Sequence, residues 1–380
     1  MTHTNLLDRA RALAPLVEAA AAKTEVTGQL DEQVAEALVG AGLLHALVPV
    51  ELGGAGLAIV PSIEVFEELA RQDGSTGWSV MAAGASTAFV SVYAADDVVA
   101  ALFGSGRKPV MAGQLSPRGR AVAVDGGFEV SGSYRFGSGS DRATHMLGGC
   151  LHIVDGAPVM RSGGLPEILA IVVPRDRVIF RGNWDVMGLC GTASVDYDIE
   201  PVFVAEGASF SIFAETPLRG DVVHRLGVMT VTAAGHAGFA LGVARRALDE
   251  IAALAVDKTR LGEARLADQQ AFQVGYARAE GKVRAARAFI FEAFAACEHA
   301  VRTTGEQPVR ERQLARLATS WGTEACAEAV EWAYRESGSD GLRTPSALGR
   351  CFRDMYAATQ HLFVSRKTLV DAAAAMLASA

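Results

Sequence analysis

A chain of 380 residues, half of them hydrophobic and 21% charged, carries enough apolar side chain for a large core and too much for a disordered polypeptide. Its formal net charge of −8 opposes the basic face that a nucleic-acid backbone demands. Its five cysteines include no CxxC pair, which suits reduced thiols in the cytoplasm rather than a zinc knuckle or a disulfide framework.

Taken in order, the polar opening over 1–22 reads as an amphipathic helix over 4–22 rather than a secretory signal. A second helix spans 31–43, capped at Leu30-Asp31 and stopped by Gly40 and Gly42. Residues 43–56 read as a short extended piece closing on a glycine turn that lacks GxGxxG spacing. Helices follow over 62–72, 76–94 and 95–104, the first capped by Ser62 with Glu64 in its first turn. Residues 78–95 are almost of membrane length. Gly84, Ser86, Thr87 and Ser91 inside the stretch, and Asp73, Asp96 and Asp97 at its ends, make it a buried helix instead. Its Met81, Phe89 and Tyr93 either line a pocket or fill core.

Helix formers thin out at 104–107. From 110 to 213 the chain is rich in Val and Gly, with a hairpin signal around Asp125-Gly126 and strands at 169–174 and 196–204. Helical period then returns over 223–256, 266–303, 309–337 and 350–377, long enough to bury surface against other subunits as well. The expected fold is α+β, mainly α: a helical domain over 1–108, a central β domain over 109–213 and a four-helix bundle domain over 214–380.

No HExxH, GxSxG or P-loop is present, and His224 and His236, twelve apart on one expected helix, cannot share a metal ion. What remains is a set of hydroxyl-rich turns, a lone imidazole and much apolar volume, a profile that suits a cofactor which carries the hard chemistry. The turn Phe136-Gly-Ser-Gly-Ser140 can donate to a heterocycle edge or be an ordinary β turn. Gly188-Leu-Cys-Gly-Thr-Ala-Ser-Val-Asp196 can wrap a ring or phosphate with Thr192 and Ser194, or cap a strand. Lys258-Thr-Arg260 can meet a phosphate or simply end a helix. Arg350-Cys-Phe-Arg-Asp-Met-Tyr-Ala-Ala-Thr-Gln-His361 is either a charged helix start or a segment that aims His361 at a cofactor.

Set in order, Val48-Pro-Val-Glu-Leu-Gly-Gly54, Asp73-Gly-Ser-Thr-Gly-Trp78, Gly132-Ser-Tyr-Arg-Phe-Gly-Ser-Gly139, Trp184-Asp-Val-Met-Gly-Leu-Cys-Gly-Thr-Ala-Ser-Val-Asp196 and Arg353-Asp354 resemble the acyl-CoA dehydrogenase fold superfamily over almost the whole chain. In dehydrogenases of that fold a carboxylate takes the substrate's α-proton. At its two known locations this chain has Leu362 and Thr232, neither of which is a base. Gln360-His361 and Met111-Ala-Gly-Gln-Leu-Ser-Pro-Arg-Gly-Arg-Ala121 are instead similar to the reduced-flavin monooxygenases of the same fold.

The resemblance implies the oxygenase component of a two-component system. Such a protein takes FADH2 or FMNH2 from a separate NAD(P)H:flavin reductase, adds O2 and hydroxylates a small aromatic or heteroaromatic molecule through a flavin C4a-hydroperoxide. It further implies a cytoplasmic homo-oligomer, a tetramer, with no membrane or nucleic-acid partner. His361 would act by the C4a side, Ser138 would hydrogen-bond flavin N5, and Phe136 would pack on the ring. Thr192 and Ser194 would lie along the isoalloxazine or ribityl chain, and Lys258 or Arg260 would meet the phosphate. Some members carry a further histidine after the Trp78 motif, where this chain reads Ala82-Ala-Gly-Ala-Ser86. That absence points to an electron-rich ring such as an indole, or to a polycyclic substrate. The same fold also accommodates acyl-CoA oxidation by an unrecognised base, N-oxygenation of an amine, or a non-catalytic helical scaffold.

Overall fold

The computed structural model describes residues 3–378 except Ser105, Arg107 and Arg260; two of these fall in the 104–107 boundary stretch, and Arg260 therefore lies outside the described residues. Six helices open the chain: α1 (His3–Ala12), α2 (Ala14–Thr27), α3 (Glu32–Ala41), α4 (Ile59–Gln72), α5 (Gly74–Tyr93) and α6 (Asp96–Phe103). The single helix expected over 4–22 is two, broken at Leu13 ahead of Pro15, which stands in the first turn of α2 where its missing N–H costs nothing. Asp31 caps α3 by accepting the Gln33 N–H, and Gly42 ends it at φ 77°. Gly40 stays inside the helix.

The piece over 43–56 is not extended. Two 3₁₀ turns, Leu43–His45 and Val50–Leu52, fold it back under the helices. Ser62 does not cap α4, which begins three residues earlier; its hydroxyl bonds back to Ile59 O within the first turn. Asp73 caps α5 through the Thr76 N–H and hydroxyl.

Eight strands follow: β1 (Met111–Val124), β2 (Gly127–Tyr134), β3 (His145–Val154), β4 (Ala157–Pro158), β5 (Ile168–Pro174), β6 (Val178–Phe180), β7 (Tyr197–Ala205) and β8 (Ser209–Ser211). They form one sheet in the order β6-β7-β2-β1-β3-β5-β8, with β4 on β3. β1 and β2 are the hairpin expected around Asp125-Gly126, with Gly126 at φ 73°. The β1–β3 pair is parallel, and its register slips between Gln114 and Gly119. Stacked Tyr134 and Tyr197 fill a small core inside this domain.

The bundle comprises α7 (Gly227–Asp257), α8 (Gln270–Thr304), α9 (Val309–Ser337), a short α10 (Ser339–Leu342), α11 (Ala347–Ala358) and α12 (Arg366–Leu377). The stretch Val222–Asp257 is apolar enough to cross a membrane by composition, but 83% of its most apolar window is buried, so α7 is the core helix of the bundle. It reaches that position on small residues. A Cβ on Gly238 would stand 2.8 Å from Ile63 O and 2.9 Å from the Phe66 Cβ, so only glycine lets α7 lie directly on α4. α5 is buried along nearly its whole length between these helices and the sheet. The helix expected over 350–377 is interrupted: α11 stops at Ala358 and α12 starts at Arg366, with a 3₁₀ turn at Leu362–Val364 between them.

Candidate active site

His361 lies in that interruption. Its backbone N–H closes the end of α11 on Ala358 O at 3.1 Å, after which the chain turns extended at φ −75°, ψ 144°. A side chain in such a break is aimed by its neighbours rather than by helical geometry. Nδ1 accepts the Phe363 N–H at 3.4 Å, which places the proton of the neutral ring on Nε2. The ring stacks on Phe363 with centroids 5.0 Å apart and meets the edge of Trp78 at 5.5 Å. Trp78, buried on the first turns of α5, links His361 to the hydroxyl turns.

The Trp78 indole Nε1–H donates to Ser138 Oγ at 3.1 Å. Ser138 Oγ lies 2.7 Å from Ser194 Oγ, which lies 2.6 Å from Thr192 Oγ1. Thr192 Oγ1 donates to Leu189 O at 2.8 Å. The direction of this chain follows from its two ends, since an indole can only donate and a carbonyl can only accept. The Thr192 hydrogen is committed to Leu189 O, so Ser194 donates to Thr192 and Ser138 donates to Ser194. Ser138, half-buried, has no hydrogen left and keeps one lone pair.

The turn that carries Thr192 and Ser194 is held in an improbable backbone. Leu189 and Ala193 both sit in the left-handed region, at φ 57° and 46°. The Leu189 N–H donates to Asp354 Oδ1 at 2.6 Å, the Gly191 N–H donates to Ser75 Oγ at 3.1 Å, and the Trp184 indole donates to Cys190 O at 2.9 Å. Asp354 belongs to a buried cluster with Asp73 and Glu25 against Arg350 and Arg353. Arg350 lies 3.5 Å from Asp73 and 3.8 Å from Glu25, and Arg353 also bonds Glu25. Three carboxylates face two guanidiniums. Burial first, then the charge of Asp73, pushes the Asp354 carboxyl up to about 7, against the pull of the Leu189 N–H and Arg350. Asp354 thus holds the Leu189 turn from behind, and Arg353 pairs with Glu25.

His236, on α7, also enters the site. Its ring centroid lies 5.6 Å from His361 and 5.6 Å from Trp78. It is not on one helix with His224, which lies in a separate 3₁₀ turn, Val222–Leu226, that joins α7 at Gly227 with φ 71°. Burial holds both imidazoles uncharged: His236 falls to about 4, and His361 to about 3 with a further push from His236. A second histidine thus stands beside His361, on α7 rather than in the Ala82–Ser86 stretch. The available sequence signal was weak: a polar ring flanked by Gly235 and Gly238 in an otherwise apolar helix.

Four of the expected residues, His361, Ser138, Thr192 and Ser194, are therefore joined around Trp78. Phe136 is next to them, at φ 63° and 57% exposed, with Trp184 against its edge at 6.2 Å. Leu362 is 64% exposed, and the Thr232 hydroxyl bonds Val228 O. Lys258 is not brought into the group. It caps α7 twenty-two residues beyond His236, about 33 Å along the helix, and its ammonium bonds Ser337 O at 2.7 Å and pairs with Asp340. The open cleft beside it is lined by Asp257 and Asp340 as well, so among the described residues two carboxylates face its one ammonium and the lining is not basic.

Comparison with known proteins follows the same lines. The model described as "Acyl-CoA dehydrogenase, N-terminal domain" matches residues 2–98, and "Acyl-CoA dehydrogenase, C-terminal domain" matches 234–366. Indole-3-acetate monooxygenase of Pseudomonas putida is 31% identical over 357 residues, covering 91% of this chain and 88% of that protein. The flavin-dependent monooxygenase oxygenase subunit HsaA of Rhodococcus jostii is 26% identical over 93% of each chain. The structure of XiaF from a Streptomyces species, solved with FADH2 and glycerol, superposes with a TM-score of 0.90 at 19% identity, over 99% of this chain and 96% of that one.

Proposed function

The chain belongs to the acyl-CoA dehydrogenase fold superfamily, in its branch of flavin-dependent monooxygenases, and from that membership we propose that it is the oxygenase component of a two-component system. It works with reduced flavin and O2 on a small aromatic or heteroaromatic compound, indole-like or polycyclic. A separate NAD(P)H-dependent reductase supplies the flavin, and the working unit is a homo-oligomer, a tetramer, in the cytoplasm. The observation that carries this reading is the union of His361 and Ser138 through Trp78, beside positions 362 and 232 where no acid stands.

The residues fit a flavin ring. The uncovered face of Phe136 and the lone pair left on Ser138 suit a flat, partly apolar heterocycle with an N–H at its edge. Bound reduced flavin supplies the activation of O2 and the transfer of one oxygen atom to the substrate. Ser138 accepts the flavin N5–H, and it does so without rearranging, because its own hydrogen is already directed at Ser194. Thr192 and Ser194 hold Ser138 in that orientation and line the ring's approach. His361 offers Nε2 to the reacting centre, as a proton donor or as the base for a substrate N–H or O–H. Trp78, Phe239 and Phe363 give an aromatic wall that excludes water and suits a planar substrate. Lys258 serves the phosphate only across a subunit boundary, since about 33 Å of helix separates it from this site. Arg260, two positions further along the sequence, is proposed for the same role.

The test is rapid mixing of the protein with chemically reduced flavin, oxygenated buffer and a panel of aromatic acids and heterocycles. His361→Ala should bind reduced flavin within roughly threefold of wild type, yet lose product roughly a hundredfold or more, with the O2 recovered as hydrogen peroxide. Unchanged product yield would remove His361 from its role. Reduction of bound oxidised flavin by an acyl-CoA thioester would overturn the whole reading.

A further inference from the structure

His236 has no role in the chemistry described so far, although it is fully buried in the middle of the site. Its Nε2–H donates to Ala358 O at 3.2 Å. That carbonyl also receives the backbone N–H of His361 at 3.1 Å. One oxygen at the end of α11 therefore fixes both the chain entering His361 and the ring lying against it. The opposite nitrogen, Nδ1, faces Thr323 Oγ1 at 3.4 Å, a hydroxyl whose hydrogen is directed at Thr319 O at 2.8 Å. The ring plane is fixed by Trp78 and Phe239, which meet His236 with centroids 5.6 and 6.3 Å away. His236 itself comes from the centre of α7, a helix buried along most of its length, whereas His361 comes from the break between α11 and α12, outside any regular helix. A ring on a packed helix thus braces one that helical geometry does not aim.

Resting on the reading of the site given above, we propose that His236 is a positioning residue for His361: its Nε2–H holds the α11 terminus, and its ring sets the tilt of the catalytic imidazole against Trp78. The two contributions are separable. His236→Gln keeps an N–H that can reach Ala358 O, while His236→Phe keeps the aromatic bulk and loses the donor. Among the described residues His236 is the ionisable neighbour that acts on the charge of His361. A His361 ring that loses its brace swings toward water and regains ordinary histidine behaviour.

The deciding experiment uses apoprotein labelled with carbon-13 in its histidine rings, so it needs neither flavin nor substrate. In wild type and His236→Gln, His361 should give one sharp signal of the Nε2–H tautomer, uncharged at pH 6. In His236→Phe the protonated share at pH 6 should rise at least tenfold, toward the roughly three-quarters expected of an unperturbed ring. Turnover with an active aromatic substrate should follow the same order. The Phe variant should lose roughly tenfold to a hundredfold in kcat with KM little changed, and Gln should recover most of it. Identical His361 signals in the Phe variant and wild type would overturn the proposal. So would a folded Gln variant whose His361 signal is displaced, an outcome that decides the matter even where Phe fails to fold. Failure of every protein, wild type included, to oxidise an aromatic substrate would count against the proposed activity while leaving the ring signals to decide the positioning role.

Discussion

A serine hydroxyl has one hydrogen, and in this site its direction is settled by groups two residues away. Because Thr192 must donate to Leu189 O, Ser138 is left with acceptor capacity only. In the proposed arrangement Ser138 would meet the N5–H of reduced flavin, whereas oxidised flavin would offer a bare nitrogen that needs a donor. Replacing Ser194 by Ala frees the Ser138 hydrogen, so that variant should bind oxidised flavin more tightly relative to reduced flavin. One hydrogen bond is worth about 1 kcal/mol, or roughly fivefold in the ratio of the two dissociation constants measured anaerobically. An unchanged ratio would show that Ser138 does not meet N5. Ser138 and His361 were singled out in the sequence only through the family resemblance, since each motif by itself also reads as an ordinary turn or a charged helix start. His236 was not. A lone histidine in an apolar helix announces no partner, and apart from Phe239 its contacts lie far along the chain, with Trp78, Ala358 and His361 all more than a hundred positions away.

At the scale of elements, the helical period and the glycine and aspartate punctuation located most helices, yet missed the break that matters. Residues 350–377 carry continuous helix-forming composition, but α11 ends at Ala358 and the chain turns through Thr359 and Gln360 to His361. Propensity is a weak preference that tertiary contacts override. Here Ser320 and Thr368 both donate to Phe363 O, and the His236 ring bonds Ala358 O, so the interrupted form is held from outside. The opposite device holds α7 against α4, where glycines remove side chains to allow close approach. Gly238→Val should force the two helices apart and cost about 1–3 kcal/mol in denaturant unfolding, with His236 displaced as a consequence. A variant of wild-type stability would mean that the contact yields more easily than its geometry implies.

Over the whole molecule, one buried charge cluster ties three regions together. Glu25 and Asp73 come from the N-terminal helices, Arg350, Arg353 and Asp354 from α11, and the Leu189 N–H from the turn after β6. With its carboxyl near 7 in the folded protein and near the ordinary 3.8 when unfolded, Asp354 binds a proton in the native state that the unfolded chain has already lost. Its contribution to stability therefore falls as pH rises from about 4 to about 7, by at most about 1.4 kcal/mol per pH unit. Asp354→Asn keeps an oxygen for Leu189 N–H and removes that slope. Its urea midpoint should gain on wild type between pH 5 and pH 7.5, and midpoints that stay parallel would sink this account. The order of helices, sheet and bundle, the hydroxyl turns, and the lack of an acid at 362 and 232 were determined by the sequence alone. These are properties of residue type and local spacing, which survive in one dimension. Only the tertiary structure decided that Trp78 joins Ser138 to His361, that His236 stands against the His361 ring, and that Lys258 lies at the far end of α7. Each of those depends on how separate elements pack, and packing distance bears no fixed relation to distance along the chain.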